Sequence, residues 1–261
     1  MLKKGSFCFP FFYVRFEVMD NLALFFVFAL IAEIIGTVSG FGSSVLFIPL
    51  AALFFDFKTV LGITAVFHVF SNVFKIYLFR QGVDKFILYR LGIPAVIFVI
   101  IGAVLTAFIP VKYIEIGLSV MLMVLSFVMI ISHRISIQKT QLNLVLGGSL
   151  SGFLAGLLGT GGAIRGMTLV AFELEKNSFV ATSALIDLGV DTSRAGVYIW
   201  NGYFTKEYLQ LIPFLLVIAV LGSWIGKKIL ARTSNENFRI IVLVVIIGTS
   251  ISQLVKVFWN M

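Results

Sequence analysis

The stretch Gly40-Phe41-Gly42-Ser43-Ser44 interrupts a long apolar run, and Gly159-Thr160-Gly161-Gly162-Ala163 interrupts a second one at an offset of 119 residues, from position 40 to position 159. The same offset relates residues that follow these two glycine stretches: His68 with Asp187, Asn72 with Asp191, Lys75 with Arg194, Tyr89 with Tyr208 and Pro94 with Pro213. Polar residues are rare in hydrocarbon, so their alignment is more informative than a match of leucines would be. The pattern therefore indicates an internal duplication.

Composition assigns the chain to the membrane. Of its 261 residues, 60% are hydrophobic and only 12% are charged, and a mean hydropathy of +1.08 is too apolar for a soluble protein. Because backbone polar groups in lipid are satisfied within helices, we predict an all-α polytopic membrane protein with two repeats, each containing a glycine-broken half-helix.

Ten apolar stretches can be read from the sequence. They cover roughly residues 21–38, 43–55, 59–79, 86–109, 113–132, 142–158, 162–172, 178–200, 205–226 and 238–259. Most reach the ~20 residues that cross the hydrocarbon as a helix. The two that follow the glycine stretches do not, and they are predicted to be half-length helices.

One transmembrane domain is predicted over residues 20–261, with repeats at about 20–132 and 141–259. Residues 1–19 form an N-terminal extension without the small-residue cleavage site of a signal peptide. Because Met19 stands directly before the first strongly apolar helix, we hypothesise that translation starts there.

Basic residues gather in three groups, at 75–90, 134–139 and 227–239. Such groups are retained on the cytoplasmic side of a membrane, and all three lie there only if each glycine stretch turns its flanking segments into a hairpin. The repeats then have inverted topology, which is typical of many secondary transporters. The alternative is a continuous crossing at each stretch, which would make the repeats parallel.

The net charge of +8 does not indicate a nucleic-acid partner, because the basic residues lie at helix ends. Cys8 is the only cysteine, which excludes an internal disulfide, and neither a zinc nor an iron–sulfur site has support. No cofactor and no metal site is predicted. The lipid bilayer is the expected surrounding, and nothing in the sequence indicates an oligomeric state.

The glycine stretches are predicted to bind substrate. A glycine-rich break at membrane depth exposes backbone N–H groups at the start of the next half-helix, and these groups favour an anion. The predicted substrate contacts are Gly40, Gly42, Ser43, Ser44, Gly159, Gly161 and Gly162. The serines add hydroxyl donors to the first stretch only. The alternative is that the glycines merely allow close packing of helices.

Two polar stripes follow the half-helices, each with the spacing i, i+4 and i+7 that places its residues on one helix face. They are His68, Asn72 and Lys75 in the first repeat and Asp187, Asp191 and Arg194 in the second. We expect the stripes to meet near the midplane, where ionisable residues are functional by default. Asn72 and Arg194 are assigned to the substrate and the other four to a coupling network. The alternative is a structural clamp between the repeats.

Four further polar residues are candidates. Arg165, in the second half-helix, either binds an oxyanion bidentately or neutralises an aspartate. Glu33, in the first helix, either carries a coupling proton or pairs with a lysine or arginine. Thr64 and Ser183 either complete the substrate shell or bond back to carbonyls of their own helices.

These motifs resemble those of the sulfite exporter TauE/SafE family, whose glycine-rich signature near the start of each half usually ends in a proline. The matching segments are 40–49 (GFGSSVLFIP), 159–168 (GTGGAIRGMT), and the threonine-serine elements Thr64-Ala65 and Thr182-Ser183-Ala184. Thr168 stands where proline is common, and Arg165 adds an unusual charge. The resemblance covers about residues 20–259 and implies transport of small sulfur-containing anions such as sulfite or sulfonates.

The favoured function is a secondary transporter of small anions, sulfite or organosulfonates, that crosses the cell membrane several times. Protons are the candidate coupling ions, carried by Asp187 or Asp191. One alternative is an anion channel or uniporter, which needs no buried carboxylates. The other is a membrane enzyme, since a histidine and two aspartates suit acid–base chemistry. No nucleophile or nucleotide motif accompanies them, so the chain is not predicted to be an enzyme.

Overall fold

The computed structural model of the protein describes residues 16–79, 82–131 and 139–232. The predicted last segment, 238–259, lies outside the described residues, as does most of the predicted N-terminal extension. The first helix begins at Phe16, so the last residues of that extension are helical. The start at Met19 stays a prediction.

Helices account for the described chain apart from turns and short connections. They are α1 (Phe16–Ser39), α2 (Ser44–Ala51), α3 (Phe57–Leu78), α4 (Lys85–Leu105), α5 (Val111–Ile131), α6 (Gln141–Leu158), α7 (Gly162–Val170), α8 (Lys176–Trp200) and α9 (Ile212–Leu230). A 3₁₀ turn over Lys206–Leu211 precedes α9. Within the described ranges, five helical segments are long and apolar enough to cross a membrane, in α1, α3, α4, α6 and the 3₁₀ turn with α9. The predicted all-α polytopic membrane fold is confirmed.

Both half-length helices are present where they were predicted. Helix α2 has 8 residues and α7 has 9, so each is about 12–14 Å long at 1.5 Å per residue, against roughly 30 Å of hydrocarbon. Gly40 and Gly159 make the preceding turns with φ of +67° and +82°, the left-handed region that glycine enters without steric cost.

Each half-helix folds back along the helix before it. The ring of Phe47 in α2 lies 5.7 Å from that of Phe25 in α1, and the ring of Phe55, beyond α2, lies 5.1 Å from Phe25. Thr168, near the end of α7, lies against Gly147, near the start of α6. Both glycine stretches therefore form hairpins, as the predicted orientation requires.

The helices pack in matched pairs. Helix α3 lies against α8, α2 against α7, α1 against α9 and α4 against α6. In the α4–α6 pair, a Cβ added at Gly148, Gly152 or Gly156 would collide with a backbone carbonyl of α4, which is the small-residue packing common in membranes. The first helix of each predicted repeat thus lies on the fourth helix of the other. A two-fold relation between repeats would produce this exchange, and the inverted duplication itself stays a prediction.

Candidate functional site

The two glycine stretches meet at the centre of the molecule. The hydroxyl of Ser44, the first residue of α2, lies 3.1 Å from the hydroxyl of Thr160. A Cβ at Gly162, the first residue of α7, would collide with the carbonyl oxygen of Phe41. The N-terminal ends of α2 and α7 therefore point at one region, and each carries backbone N–H groups without intrahelical acceptors and the positive end of its helix dipole.

The polar stripes of α3 and α8 close the other side of this region. Asn72 Nδ2 donates to Asp191 Oδ2 at 2.6 Å, across the repeat offset of 119 residues. His68 Nδ1 lies 3.3 Å from Arg194 Nη2. The two stripes that were expected to meet are therefore in direct contact.

A central cavity lies between the half-helix ends and the stripes. Its space is about 20 Å³, enough for roughly one water molecule, so the site is closed in this structure. The predicted site residues that line it are Gly42, Ser43, Ser44, His68, Asn72, Lys75, Gly159, Gly161, Gly162, Arg165, Asp187, Asp191 and Arg194. In the described part of the chain, His, Cys, Asp and Glu form no group that could hold a metal ion.

Four predicted residues lie outside the central cavity: Gly40, Ser183, Thr64 and Glu33. Gly40 and Ser183 line a second cavity of about 10 Å³ beside it. Ser183 Oγ donates to the carbonyl of Gly40 at 3.3 Å and accepts from Arg165 Nε at 3.2 Å. Thr64 lines neither cavity. Its hydroxyl donates to the carbonyl of Val60 in its own helix at 2.6 Å, which is one of the two roles predicted for it.

Arg165 lies between the two glycine stretches and is 2% exposed. Its two terminal nitrogens pair with the two carboxylate oxygens of Asp187, and its Nε donates to Ser183. A guanidinium has five N–H donors, and these contacts with described residues use three of them. Its Nη2 is 3.2 Å from the Cβ position of Gly162 and 3.8 Å from that of Gly42. The edge of the guanidinium therefore lies where the two half-helices meet.

Arg194 differs because its donors are fully occupied. Its Nε and Nη2 each lie 2.7 Å from Asp191 Oδ1, and Nη2 also faces His68 Nδ1. Its Nη1 donates to the carbonyls of Ala155, at 3.2 Å, and Gly159. The side chain thus holds the C-terminal end of α6 and leaves no N–H for a substrate in this closed state.

The profile of the sulfite exporter TauE/SafE family matches residues 24–252. The chain belongs to the sulfite exporter TauE/SafE family. It is 27% identical to a probable membrane transporter protein of Methanocaldococcus jannaschii, over 87% of this chain and 93% of that protein. No solved structure matches it. The resemblance inferred from the glycine motifs is confirmed, and both findings indicate a membrane transporter.

One departure from the TauE/SafE signature has a visible structural role. Pro49, which ends the first copy, lies inside α2. Thr168 replaces proline in the second copy, and its hydroxyl donates to the carbonyl of Ile164 at 2.9 Å while its side chain packs on Gly147 of α6. The threonine therefore fixes α7 against the helix before it.

Glu33 lies behind the cavity and is 0% exposed. Its Oε1 is 2.8 Å from Lys75 Nζ and accepts from the hydroxyls of Ser71 at 2.6 Å and Ser223 at 2.9 Å. Its Oε2 accepts from Ser43 at 2.7 Å. Pairing with a basic residue, one of the two predicted roles of Glu33, is therefore observed.

The sequence reasoning missed several members of this network. Ser71 stands four residues before Lys75 on the same face of α3, so helical spacing predicts its position. Thr37, one turn after Glu33, donates to Oε1 at 3.3 Å and follows the same rule. Ser223 of α9 carries no such signal, because only the packing of α9 on α1 brings it to Glu33.

Proposed function

We propose that this TauE/SafE protein is a secondary transporter of small sulfur oxyanions, sulfite or organosulfonates, in the cell membrane. The observation that carries the proposal is Arg165, a buried guanidinium that lies between two half-helix N-termini and has two N–H donors that no described residue accepts. Fold and family support transport in general. The chemistry of this junction supports an oxyanion as the cargo.

The junction offers three kinds of donor to an oxyanion. Arg165 has one further N–H on each terminal nitrogen, and each can donate a charge-assisted hydrogen bond to an oxygen of the anion. The backbone N–H groups that begin α2 and α7 add partial positive charge from both sides. The hydroxyls of Ser44 and Thr160, which now contact each other, can turn to a third oxygen.

The cavity must enlarge before an oxyanion can enter, because its space now fits roughly one water molecule. The second cavity leads from Asp187 towards Val180, at the beginning of α8. There Val180 packs in a small apolar cluster with Phe79 and Ala181, and Phe179 covers Gly40. We assign this cluster to the closed end of one access path, which opens when α8 moves from the first glycine stretch.

Sulfite influx into liposomes that contain the purified protein tests the proposal. Arg165→Gln removes the charge and is expected to lower influx about 10- to 100-fold, since a hydrogen bond to a charged group contributes about 1.5–3 kcal/mol. The single change leaves Asp187 unpaired, so Arg165→Gln/Asp187→Asn is the matched variant that keeps the cavity neutral. Influx should stay low in the double variant although its folding is restored.

The control for this test is Glu173→Gln, at an exposed residue outside the five candidate membrane spans. Hydrogen bonding from Lys139 at 2.7 Å, together with its charge, lowers the pKa of Glu173, so the carboxylate is charged at neutral pH and its removal changes only surface charge. Unchanged influx is expected. Influx that survives both Arg165 variants would refute the site, and influx that ignores a proton gradient would favour an anion channel.

A further inference from the structure

A row of hydrogen bonds connects the cavity to Glu33. Ser43 Oγ is 2.7 Å from Glu33 Oε2 and 2.9 Å from His68 Nε2. On its other side the imidazole meets Arg194 Nη2 at 3.3 Å through Nδ1. A completely buried carboxylate is thus hydrogen-bonded to Ser43, and Ser43, His68 and Arg194 all line the cavity.

The donors in this row all point the same way. Arginine has no acceptor, so Nδ1 of His68 accepts, and a neutral imidazole then carries its hydrogen on Nε2. This N–H donates to Ser43 Oγ. Serine has one hydroxyl hydrogen, which goes to Glu33 Oε2. Every hydrogen in the row is therefore directed from the cavity to Glu33.

The charges around the cavity balance without a substrate. Three ion pairs, Lys75–Glu33, Arg165–Asp187 and Arg194–Asp191, give three positive and three negative charges, and His68 is neutral. An incoming anion adds a negative charge where the dielectric constant is low, and a buried uncompensated charge is costly. Uptake of one proton restores neutrality.

Glu33 differs from the two aspartates in the partner of one of its carboxylate oxygens. Both oxygens of Asp187 receive N–H groups of Arg165, and those of Asp191 receive Arg194 and Asn72. Among the described residues, the partner of Glu33 Oε2 is a hydroxyl, which can reverse its direction. Protonation at Oε2 therefore leaves the hydrogen bond from Lys75 to Oε1 in place, and the ammonium charge of Lys75 then balances the charge of the anion.

We infer that the anion and a proton move together, with Glu33 as the proton site and His68 and Ser43 as the relay. This inference rests on the proposed function. An acid in the cavity, either a hydronium ion or a protonated oxyanion, gives its proton to Nδ1 of His68. The Nε2 hydrogen passes to Ser43 Oγ, and the former hydroxyl hydrogen of Ser43 passes to Glu33 Oε2. One proton has moved, and both relay residues are neutral again.

Reversal of the row also couples the proton to the anion. Nδ1 now carries hydrogen and no longer accepts from Arg194 Nη2. This N–H of Arg194 therefore becomes available to the oxyanion.

The groups that face Glu33 are Lys75, Ser71, Thr37, Ser43 and Ser223. The charged groups near His68 are Arg194, Lys75 and Arg165. In the second half of the chain the corresponding positions hold Gly152, Gly162 and Asp187, so the relay belongs to the first half.

Liposomes with a pH-sensitive dye inside test the relay. Sulfite influx through the native protein should acidify the interior. In Ser43→Ala, which keeps the Glu33–Lys75 pair, the number of protons taken up per sulfite should fall, whatever the rate of influx. The matched variant is Ser44→Ala, in the same glycine stretch but bonded to Thr160, and it should keep the proton-to-anion ratio whatever its rate. An unchanged ratio in Ser43→Ala would overturn the inference.

Infrared difference spectra between acidic and neutral pH give a readout that needs no substrate. The band of a protonated carboxyl group should be present in the native protein and absent in Glu33→Gln. If the single variant does not fold, Glu33→Gln/Lys75→Gln keeps the cavity neutral and should also lack the band. A band that persists would overturn the assignment to Glu33. Native protein without sulfite influx would instead refute the proposed function, and the spectra would still decide the proton site.

Discussion

The N-terminal ends of α2 and α7 face each other across one cavity, yet different side chains surround them. Behind α2 lies the hydrogen-bonded row of His68, Ser43 and Glu33. Helix α7 itself carries Arg165. The first half has Leu46 at the corresponding position. In the proposed mechanism both half-helix ends attract the anion, the side chains of the first half carry the proton, and those of the second half bind the oxyanion.

The comparison separates the features that both glycine stretches need from the side chains that differ between them. The turn into each half-helix needs a glycine with positive φ, at Gly40 and Gly159, and this requirement is the same in both halves. The side chains around the turns have no such backbone constraint. They can therefore differ between the two halves. Four experiments on matched positions test this comparison.

Accessibility labelling should give the largest contrast, because its outcome is all or none. If the halves are inverted, α4 and the segment that leads into α9 begin on opposite sides of the membrane. In a chain with Cys8→Ser, Lys85→Cys should react with an impermeant maleimide only from the cytoplasmic side. Lys206→Cys should react only from outside. Labelling of both from one side would make the halves parallel.

The two arginines should differ strongly in their effect on stability. Arg194→Ala leaves Asp191 unpaired and removes the donors at the end of α6, so we expect the free energy of unfolding to fall by about 3–5 kcal/mol. The neutral pair Arg165→Gln/Asp187→Asn should lose less stability and more sulfite binding. Unfolding in detergent measures both. A larger loss of stability in the Arg165 pair would reverse the roles assigned to the two residues.

The contact between the glycine stretches predicts an intermediate effect. In Gly162→Ala the new methyl group meets the carbonyl oxygen of Phe41, and such overpacking costs about 1–3 kcal/mol and should reduce transport. Gly196→Ala is the control, since no atom lies within 4 Å of its Cβ position. Alanine in that helix interior should gain about 0.5–1 kcal/mol. Equal stabilities in thermal unfolding would contradict the close contact.

The smallest effect concerns the hydroxyl pair that joins the halves. A double-mutant cycle with Ser44→Ala and Thr160→Val should give a coupling free energy of about 0.6 kcal/mol, the average for hydrogen bonds between membrane helices. Urea unfolding of the four proteins measures it. Additive single changes would mean that this hydroxyl pair does not help to hold the two halves together.

The helical layout was predictable because lipid leaves the backbone few choices. Predicted segments such as 142–158 and 162–172 agree with α6 and α7 to within a few residues. The polar stripes were also predictable, because helical periodicity fixes which residues share a face. Their contact, including Asn72 with Asp191, followed from placing both helices after a central break.

The separate roles of Arg165 and Arg194 could not be predicted from their chemistry, which is identical. Arg194 is occupied because its guanidinium reaches the last carbonyls of α6, whereas Arg165 stands at the beginning of a helix, where donors face no such acceptors. Ser223 was missed for a related reason, since it meets Glu33 only through the packing of α9 on α1.

Composition and spacing alone determined that this chain is a helical membrane protein with two glycine-broken hairpins, because hydrophobic length and helical period are local properties. The resemblance of its glycine motifs implied the TauE/SafE family. The tertiary structure decided which arginine keeps free donors, which carboxylate ends a hydrogen-bonded row, and that the cavity is closed. Those features depend on distances of about 3 Å between helices far apart in sequence, and such distances arise only when side chains pack.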